Sequence, residues 1–311
     1  MRYKITHKTR YRYSEPVELR SHLLRLCPRS DGAQWLETFS LRCSPASIKR
    51  TNILDALGNT CVKATFAEPL DTWDLEASSE VRTTRHNPFD YLAEPWAVTF
   101  PLDYPTALAA QLAPYLHMSA GPASVGVCAP SLSVADWAQA IAHDTGYHVG
   151  YFLTQLTQKI PQVCTYQPRS EGPAHAASIT LKQQSGTCRD FAVLFIAACR
   201  SLGLAARFVS GYQEGDLSDV QASEDSQRTS HDLHAWAEVY VPGGGWRGFD
   251  PTLGLAVSDR HIAIAHGSFP AQAAPVSGLI RSHYGDRNVQ TTLESHVQLQ
   301  LMNSLSVYEE S

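Results

Sequence analysis

The chain has 311 residues, 43% hydrophobic and 18% charged, with a net charge of −5 at neutral pH. These values describe an ordinary globular protein long enough for about two domains, and they carry no electrostatic footprint for nucleic acid or acidic membranes. No stretch approaches the ~18 consecutive apolar residues of a membrane span, and the first ten residues lack an apolar signal core, so a cytoplasmic location is expected.

Residues 1 to about 85 read as an all-β domain. Met1, Tyr3, Ile5, His7, Thr9, Tyr11 and Tyr13 alternate with mostly polar residues, the signature of a half-buried strand. Further strand-like runs fall at 19–27, 34–42 and 60–67, with a turn at Asp55–Asn59 before the last. Residues 86–132 form a connector with a helix over Tyr104–Leu116, followed by a loop rich in Pro, Ser and Gly.

A core segment is expected over 133–290. Ser133 and Asp136 make a capping-box pattern that opens a helix to about His143, and Val149–Lys159 reads as another. A third starts at Ser-Gly-Thr187-Cys188-Arg-Asp190-Phe and stops at Gly203. Thr187 and Asp190 are its capping pair, and the helix is apolar nearly all round, hence buried. Strands are expected at Ala205–Tyr212 and Asp232–Val241, with a turn at Pro242–Gly245 and a return strand at Trp246–Asp250. Residues 291–311 supply a last strand, Val297–Leu301, and a tail.

The chemistry concentrates on three residues. Cys188 falls at the first helical position, where free N–H groups and the helix dipole favour an anion such as a thiolate. His234 follows 46 residues later on a strand, and Asp250 closes the next strand. A thiol, a base and an orienting acid in this arrangement suit covalent acyl transfer. If Val241 pairs with Trp246, Asp250 stands opposite Ala237, three residues from His234; a bulge or strong twist must then close about 10 Å. Trp236 shares the side of His234 and is a candidate cleft-lining residue.

Other patterns carry less. His231 and His234 are separated by three positions, which on a strand point to opposite faces, so no metal site is expected. Gly243–Gly245 is a hairpin turn, since no helix follows it. The cysteines at 27, 43, 61, 128, 164, 188 and 199 are odd in number and read as reduced thiols. The polar segment 213–230 is either a lid over the cleft or a passive insertion.

Three runs together resemble the bacterial transglutaminase-like superfamily. They are Gly-Thr-Cys188-Arg-Asp-Phe-Ala, Arg-Ser-Leu-Gly-Leu-Ala-Ala-Arg-Phe-Val-Ser-Gly-Tyr212, and His234-Ala-Trp-Ala-Glu-Val-Tyr-Val-Pro-Gly-Gly-Gly-Trp-Arg-Gly-Phe-Asp250-Pro-Thr. The first eighty-odd residues resemble the β-rich region that precedes this core in bacterial members. The resemblance implies an α+β fold with a papain-like core, a helix-borne Cys188 packed on an antiparallel sheet, and Cys188, His234 and Asp250 as the triad. It implies thioester-forming acyl transfer on a protein or peptide amide, with water or an amine as acceptor and no cofactor. Tyr166 is the candidate oxyanion-supporting residue upstream of the cysteine. The segment Gly267–Gly278 lacks the charged residues that bacterial members often carry there. The rival reading is a non-catalytic peptide-binding module that retains the fold. Neither the substrate, the acceptor nor the oligomeric state follows from the residues.

Overall fold

The computed structural model describes residues 1–46, 49–117, 133–169, 172–215, 233–285 and 288–302. Residue 3 of the chain already lies in a long strand. β1 runs without a break over Arg2–Leu24, joining the alternation that ends at Tyr13 to the run expected separately at 19–27. Pro16 lacks a donor, but it falls where pairing with β5 is interrupted between Arg12 and Val17, so no ladder bond is lost. The alternation is borne out: Tyr3, Ile5, His7, Thr9 and Tyr13 are all buried.

Around β1 gather β2 (Gln34–Ser44), β3 (Lys49–Leu54), β4 (Thr60–Thr65) and β5 (Leu70–Thr83), in the order β2-β5-β1-β4-β3. In β5, Trp73, Leu75, Ala77, Ser79, Val81 and Thr83 point inward with the expected period of two. One end of this sheet has its own core around Trp73, Val17, Leu24 and Val62. At the other end Tyr3, Ile5 and Val81 join the helical core of the rest of the chain.

Helices follow at α1 (Thr106–Leu116), α2 (Val134–Asp144) and α3 (Val149–Val163). The Ser133–Asp136 capping box forms as expected, with Asp136 N donating to Ser133 Oγ at 3.1 Å. A two-residue strand β6 (Thr165–Tyr166) pairs in parallel with β7 (Ser185–Gly186), with α4 (Ala177–Gln183) between them. α5 spans Cys188–Ser201, ending before Gly203 in the left-handed conformation.

The second sheet takes β8 (Ala206–Gln213), β9 (His234–Val241), β10 (Gly245–Asp250), β11 (Leu255–Ala256) and β12 (His261–Gly267), in the order β11-β10-β9-β8-β12. α5 packs on it through Phe195, which stacks on Phe249 with ring centres 5.7 Å apart. Ala235, Ala237 and Val239 on that face are buried with α5 in one core.

Val276–Ser282, expected within the core segment, is β13 and pairs with β1 instead. β14 (Thr291–Leu301) is longer than the run at 297–301 suggested, and it too pairs with β1, through eleven registered positions. The chain thus returns to its first sheet after building the second.

Side-chain amides join the two sheets. Gln34 donates Nε2–H to the carbonyl of Ala263 at 2.9 Å and accepts the Ala263 N–H at 2.8 Å. Asn59 treats His266 likewise, at 2.9 Å in each direction. Each amide reproduces a strand neighbour's donor and acceptor, so the backbone groups of Ala263 and His266 on the outer edge of β12 are satisfied without a further strand. Below them Glu238 of β9 is held between Arg207, at 2.6 Å, and Arg29, all three buried or nearly so. Burial alone would raise the Glu238 carboxyl, but the two guanidinium charges hold it well below the usual carboxylate range.

Candidate active site

α5 begins as its sequence requires. Thr187 is the N-cap, and its N–H donates to Asp190 Oδ2 at 2.8 Å. Asp190 is fully buried and does more than cap. Its Oδ1 accepts the backbone N–H of His175 at 2.6 Å and an Arg169 N–H at 3.0 Å. Arg189 donates in turn to the carbonyls of Gly172 and Arg169. The described residues around 169–175 are therefore tied to the helix start. A Cβ on Gly186 would lie 2.7 Å from Asp190 Cβ, so this approach needs glycine. Cys188, at the first helical position, is 8% exposed.

The β9–β10 hairpin places the other two residues, with a register one residue away from the expected one. Val241 pairs with Gly245 and Trp246 with Tyr240, because Pro242–Gly244 make a three-residue loop. Gly243 takes the positive φ this loop needs, and Gly245 already belongs to β10. Continuing the register puts Asp250 opposite Trp236 rather than Ala237. It is then two residues from His234 and on the same face, a diagonal neighbour. No bulge is needed: His234 Nε2 lies 2.6 Å from Asp250 Oδ2.

This bond assigns the imidazole proton at Nε2 and leaves Nδ1 for Cys188. Burial by itself would push His234 down. The Asp250 charge and hydrogen bond, with a hydrogen bond to Cys188, outweigh it and raise His234 to about 10. Asp250 is wholly buried. Burial would raise its carboxyl, but the charges and hydrogen bonds of His234 and His261 hold it far below the usual range. Its Oδ1 accepts the N–H groups of Thr252 and Leu253, at 2.9 and 3.3 Å.

The two further candidates lie in different surroundings. Trp236 is 1% exposed, so it lines no open cleft. Its ring packs beneath the imidazoles, edge-on to His261 at 5.3 Å, over Gly211, where a Cβ would come within 2.5 Å of the indole. Tyr166 is half exposed and stands beside the segment leading into Cys188, because β6 pairs with Ser185–Gly186. Its ring meets Phe191 of α5 edge-on at 6.3 Å. His231 and residues 216–230 of the polar segment lie outside the described residues. The start of that segment is anchored, since buried Glu214 accepts the Tyr3 hydroxyl at 3.0 Å.

Sequence reading overlooked Arg169, His175 and His261. The first two lie upstream with no spacing to Cys188 that marks them. His261 opens an apolar strand eleven residues after Asp250, yet its Nε2 is 3.1 Å from Asp250 Oδ2. Among the described residues, His234, Asp250 and His261 have ligand atoms within 4.8 Å of one another and form a group that could hold a metal ion. Their facing atoms are already engaged, as two ring nitrogens converging on one carboxylate oxygen. No helix among the described residues is long and apolar enough to cross a membrane.

A thiol at a helix N-terminus, facing a carboxylate-bound imidazole on an antiparallel sheet, defines the papain-like class of α+β folds. Residues 3–82 match the family described as the bacterial transglutaminase-like N-terminal region, and residues 135–251 match the transglutaminase-like superfamily. The chain belongs to the transglutaminase-like superfamily. It is 29% identical over 287 residues to an uncharacterized protein of Mycobacterium tuberculosis, covering 90% of this chain and 87% of that one. A protein-glutamine gamma-glutamyltransferase of Pseudomonas aeruginosa is 32% identical over 104 residues, 33% of this chain and 15% of that protein. The crystal structure of a candidate cysteine protease from Cytophaga hutchinsonii superposes with a TM-score of 0.68 at 21% identity, covering 100% of this chain and 94% of that one.

Proposed function

We propose that the protein is a thiol-dependent enzyme that transfers the acyl group of a protein or peptide amide through a thioester on Cys188. The observation that carries this reading is the convergence of Cys188, His234 and Asp250, with the imidazole bonded to the carboxylate at 2.6 Å and turned toward the thiol.

Transfer of the thiol proton to His234 Nδ1 leaves a thiolate beside an imidazolium, and Sγ attacks the amide carbonyl carbon. The carbonyl oxygen becomes an oxyanion, which the backbone N–H of Cys188 stabilises at the open end of α5. Tyr166, held beside Gly186, is assigned as the second group facing that oxygen. The C–N bond breaks as His234 returns the proton to the leaving amine. Water or a second amine then attacks the thioester, with His234 again accepting the proton, and Cys188 is released. Asp250 keeps the imidazole tautomer and orientation throughout. The reaction draws on no cofactor.

Intact-protein mass spectrometry after mixing with a glutamine-containing peptide tests the proposal. Expected is an acyl adduct that maps to Cys188 and is cleared by hydroxylamine. A folded protein that binds such peptides but forms no adduct, with Cys188 labelling no faster than Cys43, would establish the non-catalytic binding module instead.

A further inference from the structure

Asp250 Oδ2 is shared by two imidazoles. His234 approaches it at 2.6 Å from β9, and His261 at 3.1 Å from the first residue of β12. β12 lies at the opposite edge of the sheet from β10, with β9 and β8 between them. His261 thus reaches the carboxylate across the sheet's end. It is 5% exposed and packs edge-on against the fully buried Trp236.

Its Nε2 faces Asp250, and its Nδ1 is buried with no hydrogen-bond partner among the described residues. An apolar side chain would fill the same space against Trp236 without that penalty. The feature that an apolar side chain could not supply is the Nε2–H aimed at Asp250. With the N–H groups of Thr252 and Leu253 on Oδ1, it completes a set of donors on both oxygens.

We propose that His261 is a positioning residue: its Nε2–H locks the plane of the Asp250 carboxylate, which in turn aims His234 at Cys188. The inference rests on the acyl-transfer reading for its effect on rate, though the hydrogen-bond chain exists independently of it. Without His261 the carboxylate is free to turn about its Oδ1 anchors, and the imidazole loses its fixed direction. The titratable groups facing this chain are Cys188 on α5, His234 on β9 and Asp250 on β10.

The test compares wild type, His261→Leu, His261→Gln and Asp250→Asn in the full-length protein. The first measurement is the pH profile of iodoacetamide labelling at Cys188, read by peptide mapping. His261→Leu is expected to slow labelling at pH 6–7 by roughly tenfold, the lower end for outer-shell hydrogen bonds to a functional imidazole. Its profile should move to higher pH, in the same direction as Asp250→Asn. His261→Gln, whose amide donates from an equivalent position, should return labelling to within about threefold of wild type. A purely structural histidine would lower the unfolding temperature of His261→Leu without moving the profile, and that result would overturn the proposal.

The second measurement is the NMR signal of the His234 Nε2 proton, which needs no activity. A downfield resonance in wild type and in His261→Gln, lost or shifted in His261→Leu, is expected. An unchanged resonance in His261→Leu would refute the positioning role. Wild-type labelling of Cys188 no faster than that of Cys43 would instead reject the thiol chemistry, and the NMR comparison would still decide the role of His261.

Discussion

Trp246 pairs with Tyr240 across the β9–β10 hairpin, and that register puts Asp250 on the same face of the sheet as His234. A slip of one residue would turn Asp250 toward Phe195 and the core of α5, where a carboxylate has no partner. The three-residue loop Pro242–Gly244 is therefore part of the site's construction, although it lies at the far end of the hairpin from His234.

The triad should fail in a graded way. Cys188→Ala and His234→Ala are expected to remove acyl-adduct formation entirely while leaving the far-ultraviolet circular dichroism unchanged. Asp250→Asn should lower the rate by about 10²–10⁴, because it disturbs tautomer and aim but leaves nucleophile and base in place. Single-turnover rates on an amide substrate check the order. Full turnover by Cys188→Ala would exclude a covalent thioester.

Thiol labelling should single out Cys188. Burial pushes Cys27 and Cys164 up to about 11, and burial with the Asp55 charge does the same for Cys61. Burial also raises Cys43, and Cys199 further still. His234, raised to about 10, stays an imidazolium beside Cys188 below that pH. Iodoacetamide is expected to modify Cys188 faster than the other described thiols at pH 6–7. Peptide mapping across this range reads the result directly, and equal labelling of Cys43 at pH 6 would contradict it.

Glu238→Gln should destabilise the protein by about 3–5 kcal/mol, because it leaves the buried Arg207 guanidinium without its counter-charge, next to an Arg29 that keeps only Asp31. Its carboxyl is held below the ordinary value in the fold, so its contribution is present above about pH 4.3 and lost on acidification below that. Urea unfolding at pH 7 and pH 3 measures both effects. The difference between wild type and Glu238→Gln should shrink at the lower pH.

His7 and His266 set a second acid window. Burial lowers each to about 4, with the Arg207 charge adding to the effect at His266. The unfolded chain binds protons at these residues from about pH 6.5 downward, before the folded one does. Stability is thus expected to fall as pH drops from about 6.5 to 4. His7→Asn, which can still donate toward the Tyr212 hydroxyl, should flatten that decline. Unfolding midpoints in urea at half-unit pH steps provide the check. An identical slope in His7→Asn would assign the acid sensitivity to other groups.

Much of this protein is written in local pattern. The alternation from Met1 to Tyr13, the capping residues Thr187 and Asp190, and the Gly203 stop each act through neighbours a few positions away. Their physics therefore needs no fold, and the place of Cys188 at a helix start follows from them. His234 and Asp250 were also legible, through the hairpin that joins their strands. Tertiary structure alone decided the rest. Register depended on how three residues close the Pro242–Gly244 loop, since the strand residues on both sides pair acceptably in either frame. The burial of Trp236 depended on Gly211 in a neighbouring strand. The return of β13 and β14 to β1, and the amide bridges from Gln34 and Asn59 to β12, join positions about 200 or more residues apart. His261 belongs to this group: its partner is set by the order of strands in a sheet, and strand order leaves no period or spacing in a sequence.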